Sequence, residues 1–210
     1  MSWFPWAKLD PNERIAAPIL LRELGVWGAL LVGRRIRRRQ RAGEPFQLLA
    51  PPATEEERLS RDQIGPAILL YRELRERIGR EEALRITEVV VVEAALIFLR
   101  ETIGPLRRAE LEALDEESKQ AFVKERGRRF FNATVQWDEV SGERVRFTVK
   151  HCKFPPLCVA AGVPELAPLF CRADARYFGS VEPDVTLTRN QTIAEGAPTC
   201  PFLLEWSRER

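Results

Sequence analysis

The hydrophobic pattern of this 210-residue chain changes its period at Gly127. Before this point apolar residues recur at helical spacing, and after it they alternate with polar residues, as in strands that face a core on one side. Hydrophobic residues make up 45% of the chain and charged residues 30%, the balance of a soluble globular protein. The pattern predicts an α+β fold, in which a helical N-terminal region packs on a small antiparallel sheet with short helices.

The N-terminal residues 1–43 are predicted to form an amphipathic helix over 11–41 that ends in a basic run. A charged pair, Arg22 and Glu23, interrupts the apolar stretch at its middle, which disfavours a membrane-spanning helix. The chain does not open with a basic region ahead of an apolar stretch, so a secretory signal is not expected. The expected location is therefore the cytoplasm, and the segment is compatible with peripheral contact with a membrane.

Three readings of this segment differ in the partner they imply. Trp3, Phe4 and Trp6, with the arginines in 34–41, suit an anionic membrane surface, because amphipathic rings and basic groups both favour that interface. The plain alternative is a first helix whose arginines suit the negative end of its dipole. Nucleic-acid binding is disfavoured, because the net charge is only +2 and no recognised reader motif accompanies the run.

Prolines and a glutamate triplet in residues 44–60 predict an extended linker, followed by a domain over 61–210. Its first part, 61–126, is predicted to hold helices at 62–77, 80–102 and 105–126, and the part from 127 to 210 is predicted to be α+β. The middle helix is apolar nearly all round and should be the buried one. Its Glu88 and Glu93 either carry acid-base or metal chemistry, or pair with arginines of a neighbouring helix.

Alternating runs at 134–137 and 144–150, separated by Ser141-Gly142, predict an antiparallel hairpin. Short helices are predicted over 152–163 and 164–172, and further strands over 184–189 and 201–206. In the second hairpin strand Val145, Phe147 and Val149 share one face, so regular alternation places Cys152 at the end of the opposite, polar face.

Three cysteines are expected at the closing ends of elements: Cys152, Cys171 and Cys200. Three thiolates can hold a zinc ion with one position open for water, or three irons of a [4Fe-4S] cluster whose fourth iron binds substrate. The alternative is that these thiols are buried packing groups. The fourth cysteine, Cys158, lies at helical spacing in an apolar stretch and is predicted to belong to the core.

Without a metal, one cysteine would act as a nucleophile and would need a base. The only histidine, His151, adjoins Cys152, but neighbouring strand residues point to opposite faces. Asp174 and Glu195 are the better-spaced general bases, and the planar guanidinium of Arg189 suits a substrate carboxylate. Structural roles are the alternative: Asp174 as a helix cap or ion-pair partner of Arg172 or Arg176, and Glu195 as a solvated turn residue.

Three motifs carry a family resemblance. They are Phe147-Thr-Val-Lys-His-Cys152-Lys-Phe, Gly162-Val-Pro-Glu-Leu-Ala-Pro-Leu-Phe-Cys171-Arg-Ala-Asp174, and Leu187-Thr-Arg189-Asn-Gln-Thr192-Ile-Ala-Glu195-Gly196-Ala-Pro-Thr-Cys200-Pro-Phe202. In order, spacing and residue types this set resembles the L-2-amino-thiazoline-4-carboxylic acid hydrolase-like family. The resemblance implies a mainly helical N-terminal half on a C-terminal sheet, and hydrolytic opening of a cyclic thiazoline or amidine carboxylic acid.

The site predicted for this small-molecule substrate combines the motif residues: Cys152, Cys171 and Cys200 as possible metal ligands, Asp174, Thr192 and Glu195 as catalytic groups, and Arg189 for substrate binding. Two other functions stay open. The ending Gly196-x-x-x-Cys200-x-Phe202 also resembles 4-vinyl-reductase-type domains, which would make the protein a non-catalytic module that binds a small ligand or a cluster. The aromatic and basic N-terminal segment would suit a membrane-associated assembly factor.

Overall fold

The computed structural model of the chain describes residues 11–104, 107–141, 143–178 and 185–206. Its helices are α1 (Pro11–Arg41), α2 (Glu55–Ile78), α3 (Arg80–Ile103), α4 (Arg108–Glu112), α5 (Glu116–Arg128), α6 (Phe154–Ala160) and α7 (Ala167–Arg176). Its strands are β1 (Ala133–Val140), β2 (Arg144–Cys152), β3 (Val185–Thr188) and β4 (Cys200–Trp206). Four residues named above, Trp3, Phe4, Trp6 and Gly142, lie outside the described parts, and so do the first positions of the predicted ranges 105–126 and 184–189.

The four strands form one antiparallel sheet in the order β1-β2-β4-β3. Its inner face packs on the helices, where Val145, Leu204 and Trp206 share a buried cluster with Leu96 of α3 and Ala173 of α7. A second cluster joins α1, α2 and α3 to α6 and α7. The predicted α+β fold, with a helical N-terminal region on a small antiparallel sheet, is confirmed.

Two helix boundaries differ from the prediction because of side-chain caps. The start of α2 is Glu55, not residue 62, because the Thr54 hydroxyl accepts a hydrogen bond from the Glu57 N–H at 3.2 Å. The end of the predicted 44–60 linker is therefore helical. The helix predicted over 105–126 is divided into α4 and α5, because Asp115 caps a second start by accepting the Ser118 N–H at 2.7 Å.

The cysteines were expected at the closing ends of elements, and this is wrong for two of them. Cys152 is the last residue of β2, but Cys171 lies inside α7 and Cys200 begins β4. The predicted helix over 164–172 starts and ends later, because Pro164–Leu166 forms a separate 3-10 turn. The α-helix begins after this turn at Ala167 and continues to Arg176.

The predicted facing of Cys152 is also wrong, because β2 contains a bulge. Thr134 of β1 pairs with His151, but the next β1 residue, Val135, pairs with Val149, so Lys150 is an extra residue in β2. The extra residue reverses the alternation beyond it. Cys152 consequently packs with Val149 against the core, and His151 is exposed.

A buried carboxylate fastens α1 to α2. The side chain of Glu73 is 1% exposed, and its Oε1 lies 2.6 Å from the Arg39 Nε. Its Oε2 lies 3.5 Å from an Arg35 Nη. A buried carboxylate that loses its cations destabilises a protein by about 3–5 kcal/mol, so this contact strongly favours the docked position of α1.

Much of the apolar surface of α1 is not covered by the rest of the protein. The part over Glu13–Arg41 has the length and mean hydropathy (1.7) of a membrane-crossing helix, and only 11% of its apolar window is buried. Length and composition alone indicate a span only weakly, because core helices and signal sequences share them. Gly25 interrupts the helix with φ 67°, and Glu23 beside it pairs with Arg85 of α3.

Gly127 provides a stability prediction, because a Cβ on it would lie 2.2 Å from Cζ2 of the Trp137 ring. We expect Gly127→Ala to lower the free energy of unfolding by about 1–3 kcal/mol, through displacement of the ring or of α5. Urea denaturation measures this. Gly33→Ala is the matched control, because its Cβ position has no heavy atom within 4 Å apart from the neighbouring helix backbone. It should leave stability unchanged or raise it by up to about 1 kcal/mol. Equal destabilisation in both variants would contradict the steric argument.

Candidate active site

A cavity of about 200 Å³ lies between the sheet and helices α3, α5 and α7. Cys152, Cys171 and Cys200 all line it, and we call it the sulfur-lined pocket. Three cysteines that are far apart in sequence therefore reach one cavity. Most of the remaining wall is apolar, with aromatic rings that include Phe98, Phe130, Trp137, Phe147, Phe170 and Phe202.

An ion pair forms the charged part of the sulfur-lined pocket. The Arg189 Nη1 lies 2.7 Å from Oδ2 of Asp174, and their side chains are 9% and 24% exposed. The Arg189 Nη2 donates to the backbone carbonyl of Cys171 at 2.7 Å. The guanidinium carbon lies 4.9 Å from the centre of the Phe202 ring, within cation–π range. These contacts fix the guanidinium plane and leave Oδ1 of Asp174 without a hydrogen-bond partner among the described residues.

Burial raises the pKa of Asp174 above its ordinary value, and the neighbouring Arg189 offsets only part of this effect. Desolvation disfavours the carboxylate form, while the guanidinium favours it. A carboxyl group whose pKa is raised in this way exchanges protons more readily near neutral pH than an exposed aspartate does. Asp174 is therefore suited to general acid-base chemistry.

The thiols at the two sides of the pocket have different neighbours. The Sγ of Cys200 accepts the backbone N–H of Ile193 at 3.1 Å. The Sγ of Cys152 lies 4.0 Å from the Asn132 Nδ2 and also accepts a backbone N–H from Phe154. N–H donors directed at sulfur favour the thiolate form, so in these two cysteines they lower the pKa and oppose the effect of burial.

Burial nevertheless raises the pKa of every cysteine in the pocket. It raises the pKa of Cys171 to about 12, and the nearby Asp174 carboxylate adds to the effect. The pKa values of Cys152 and Cys200 are also raised by burial, which outweighs the N–H groups that lower them. Near neutral pH these groups are thiols, so the direct-nucleophile interpretation lacks a preformed thiolate.

Thr192 and Glu195 bond to each other rather than lining the pocket. The Thr192 hydroxyl donates to Oε2 of Glu195 at 2.7 Å and accepts the Glu195 N–H at 3.2 Å. This reciprocal cap holds the 3-10 turn Ile193–Glu195 in place. The 3-10 turn positions the Ile193 N–H to donate to the Sγ of Cys200. The catalytic roles predicted for both residues stay predictions.

The part of the chain that contains nearly all of the sulfur-lined pocket matches a known protein family. A family model described as L-2-amino-thiazoline-4-carboxylic acid hydrolase matches residues 58–204. The chain belongs to this family. No curated protein and no solved structure matched the chain. The matched span of the thiazoline-acid hydrolase family includes every lining residue of the sulfur-lined pocket except Trp206, and it excludes α1.

The side-chain arrangement gives the predicted zinc ion or [4Fe-4S] cluster no support. Within the described ranges, no group of three or more His, Cys, Asp or Glu side chains is arranged to hold a metal ion. The three cysteines share the wall of one cavity but do not form such a group. The metal interpretation stays a prediction.

Other residues singled out in the sequence have structural partners. Glu88 pairs with Arg172, and Glu93 lies 3.0 Å from Arg176, so both follow the predicted alternative of pairing with arginines of a neighbouring helix. Arg172 and Arg176, the alternative partners considered for Asp174, therefore pair with these glutamates. Cys158 is fully buried in the core, as predicted.

The sequence interpretation missed two contacts of the pocket. Asn132 approaches Cys152, and the ring of Phe202 supports Arg189. Phe202 belongs to the Cys200-Pro-Phe202 motif, so its presence was noted, but no local pattern pairs a ring with an arginine elsewhere in the chain. Asn132 precedes β1 in an irregular segment and carries no sequence signal.

The electrostatic link between Asp174 and Cys171 can be measured. In Asp174→Asn the negative neighbour disappears and Arg189 loses its partner, and both changes lower the pKa of the Cys171 thiol. Alkylation of Cys171 by iodoacetamide at mildly alkaline pH, followed by peptide mass spectrometry, should therefore be faster than in the unmodified protein. Cys158 is an internal control, because burial, Cys152 and Glu165 raise its pKa, not Asp174. Faster alkylation at both sites would instead indicate loosening of the fold.

Proposed function

We propose that the sulfur-lined pocket opens a cyclic thiazoline or amidine carboxylic acid by adding water to its C=N carbon. The observation that carries this proposal is the Asp174–Arg189 pair in an apolar cavity within the span matched by the hydrolase family. The pair offers a cation for the carboxylate and a carboxyl group for proton transfer. Both are needed for this substrate class, and they lie side by side.

Arg189 would position the substrate. Its guanidinium carries further N–H donors beyond the contacts with Asp174 and the Cys171 carbonyl, and these can bind a carboxylate. The Phe202 ring below it restricts the plane in which the substrate carboxylate binds. The substrate ring then lies among the apolar walls and sulfurs, where exclusion of bulk water strengthens both charged contacts.

Asp174 would act as base and then as acid. As the water oxygen bonds to the ring carbon, Oδ1 takes a proton, and the C=N electron pair moves to nitrogen, which receives that proton. Asp174 then takes the remaining hydroxyl proton as the carbonyl forms and the ring C–S bond breaks. It passes this proton to the departing sulfur, so the net change is addition of one water. A carboxyl group with a raised pKa suits both transfers.

Substitution of Asp174 tests this role. Asp174→Asn keeps the size of the side chain but cannot exchange protons. In variant protein whose folding is confirmed by circular dichroism, we expect kcat/KM for ring opening to fall by about 100-fold or more. Since the base form is required, activity of the unmodified protein should be lost as pH falls through the raised pKa of Asp174. Glu93→Gln is the control, because Glu93 lies in a surface ion pair. A rate near that of the unmodified protein in Asp174→Asn would remove Asp174 from the mechanism.

Serine substitutions separate this mechanism from a thiol nucleophile. We expect Cys171→Ser and Cys200→Ser to retain turnover within about tenfold, because neither thiol is ionised near neutral pH. A loss of more than about 100-fold in either variant, with normal folding, would assign the attack to that sulfur. Metal analysis of the purified protein belongs with this series, because stoichiometric zinc or iron would favour the predicted metal site.

We propose an anionic membrane surface as the partner of α1. The second half of this helix exposes Val26, Trp27, Leu30 and Leu31, and the Trp27 side chain is the most open of them at 84%. At helical spacing Trp27 and Leu31 continue into Arg34, Arg38 and Arg41, which are exposed and have no acidic partner within 4 Å among the described residues. We call these seven residues the α1 stripe. A row of apolar side chains that continues into unpaired cations is complementary to an anionic lipid interface. Docking there would be peripheral and on the cytoplasmic side.

Vesicle flotation tests this partner. We expect the protein to float with vesicles that contain phosphatidylserine, less at high salt, and not with phosphatidylcholine alone. Trp27→Glu with Leu31→Glu should abolish flotation. Leu48→Glu is the matched control, because Leu48 is 90% exposed outside the α1 stripe. If the stripe instead joins two copies of the chain, sedimentation will show a dimer that the double variant dissociates, and flotation will be absent.

A further inference from the structure

A second cavity, of about 300 Å³, lies between α1 and the pair α2 and α3. We call it the helical cavity. Its wall is largely apolar and includes Leu20, Leu30, Ile36, Leu70 and Val91. It shares four lining residues with the sulfur-lined pocket: Gln63, Ala95, Phe98 and Phe170. The two cavities are therefore neighbours, and the side chains of these four residues lie between them.

The size and polarity of the sulfur-lined pocket do not match a small charged ring alone. An apolar cavity of about 150 Å³ already accommodates benzene. The pocket holds about 200 Å³, and the charged groups Asp174 and Arg189 occupy only one part of its wall. A polar ring bound there would leave much apolar surface uncovered, and that surface gains free energy only when a ligand removes it from water.

We propose that the ligand of this protein is an amphipathic acid whose polar ring lies at Arg189 and whose apolar tail extends past Phe98 and Phe170 into the helical cavity. The assignment of the ring rests on the proposed function. The tail is an alkyl or aryl group, because the helical cavity is bounded mainly by aliphatic side chains.

Two features of the boundary support passage of a tail. Phe98 and Phe170 are only partly buried although both lie inside the fold, because each faces open cavity volume. Gln63 contributes a side-chain Oε1 that is buried without a hydrogen-bond partner among the described residues. Such an acceptor is costly to leave unpaired, so rotation of the Gln63 side chain toward an N–H group at the junction of ring and tail would gain a hydrogen bond.

One wall of the helical cavity, formed by α1, lies outside the span that the family model matches. The family match covers residues 58–204, whereas α1 ends at Arg41. The ring site therefore lies in the shared domain, and one side of the tail site comes from a helix outside it. Loss of α1 would open the tail site while leaving the Asp174–Arg189 pair in place.

A chain-length series tests the tail. Thiazoline-4-carboxylic acids that carry methyl, butyl or octyl groups at the ring carbon are compared by calorimetric binding and by ring opening. We expect Kd and KM to fall about threefold to fourfold for each methylene until the helical cavity is filled. Ala94→Leu and Ala67→Leu fill the helical cavity without lining the sulfur-lined pocket. Each should weaken the octyl compound at least tenfold and leave the methyl compound unchanged. Val159→Leu, at a surface residue 63% exposed, is the matched control.

The outcomes separate this inference from the proposed function. Ring opening with Kd and kcat/KM that are equal for all three chain lengths would overturn the tail and leave the hydrolase intact. Binding that grows with chain length and is blocked by Ala94→Leu or Ala67→Leu, without any turnover, would overturn the hydrolase and retain the two-cavity ligand site. Binding that ignores chain length in the unmodified protein rejects the tail whatever the turnover.

Discussion

A guanidinium and a carboxylate that meet inside an apolar cavity determine how the C-terminal half of this protein is assembled. Asp174 comes from α7, and Arg189 comes from the segment that follows β3. The same guanidinium bonds the Cys171 carbonyl and lies over a ring of β4. Removal of either charge would leave the other buried without compensation, so the pair keeps α7, β3 and β4 in one arrangement. The position of the cavity follows from that arrangement.

The apolar walls have two effects that are inseparable. They create the volume in which a ligand can lie, and they also shift the protonation equilibria of the groups that face it. Burial raises the pKa of Asp174, which brings a carboxyl group closer to the range of general acid-base work. The same burial keeps Cys171 protonated, so this sulfur behaves as a polarizable apolar surface. The same burial therefore favours proton exchange by Asp174 and disfavours ionisation of Cys171.

Local sequence patterns predicted the fold and several residues of the pocket. They did not predict which residues contact each other or which face of the strand the Cys152 side chain lies on. The change of period at Gly127 is a property of consecutive residues, and the α+β fold follows from it. The motifs named Asp174 and Arg189, but their contact depends on tertiary structure, and the only ion-pair partners considered for Asp174 were the nearby Arg172 and Arg176, as an alternative to a catalytic role. The inward position of Cys152 was missed, because a bulge depends on strand pairing and leaves no mark in the alternation of one strand.

The end of β2 could pair with β1 in two ways, with or without the bulge at Lys150. Without Lys150 as the extra residue, regular alternation from Val149 would direct the imidazole of His151 inward and the thiol of Cys152 to solvent. Burial of a thiol costs far less than burial of an imidazole without partners. The side chains of His151 and Cys152 therefore favour the pairing with the bulge. Burial of the thiol in place of the imidazole offsets the irregular hydrogen bonding of the bulge. Cys152 is part of the cavity wall because the pairing with the bulge is the more stable of the two.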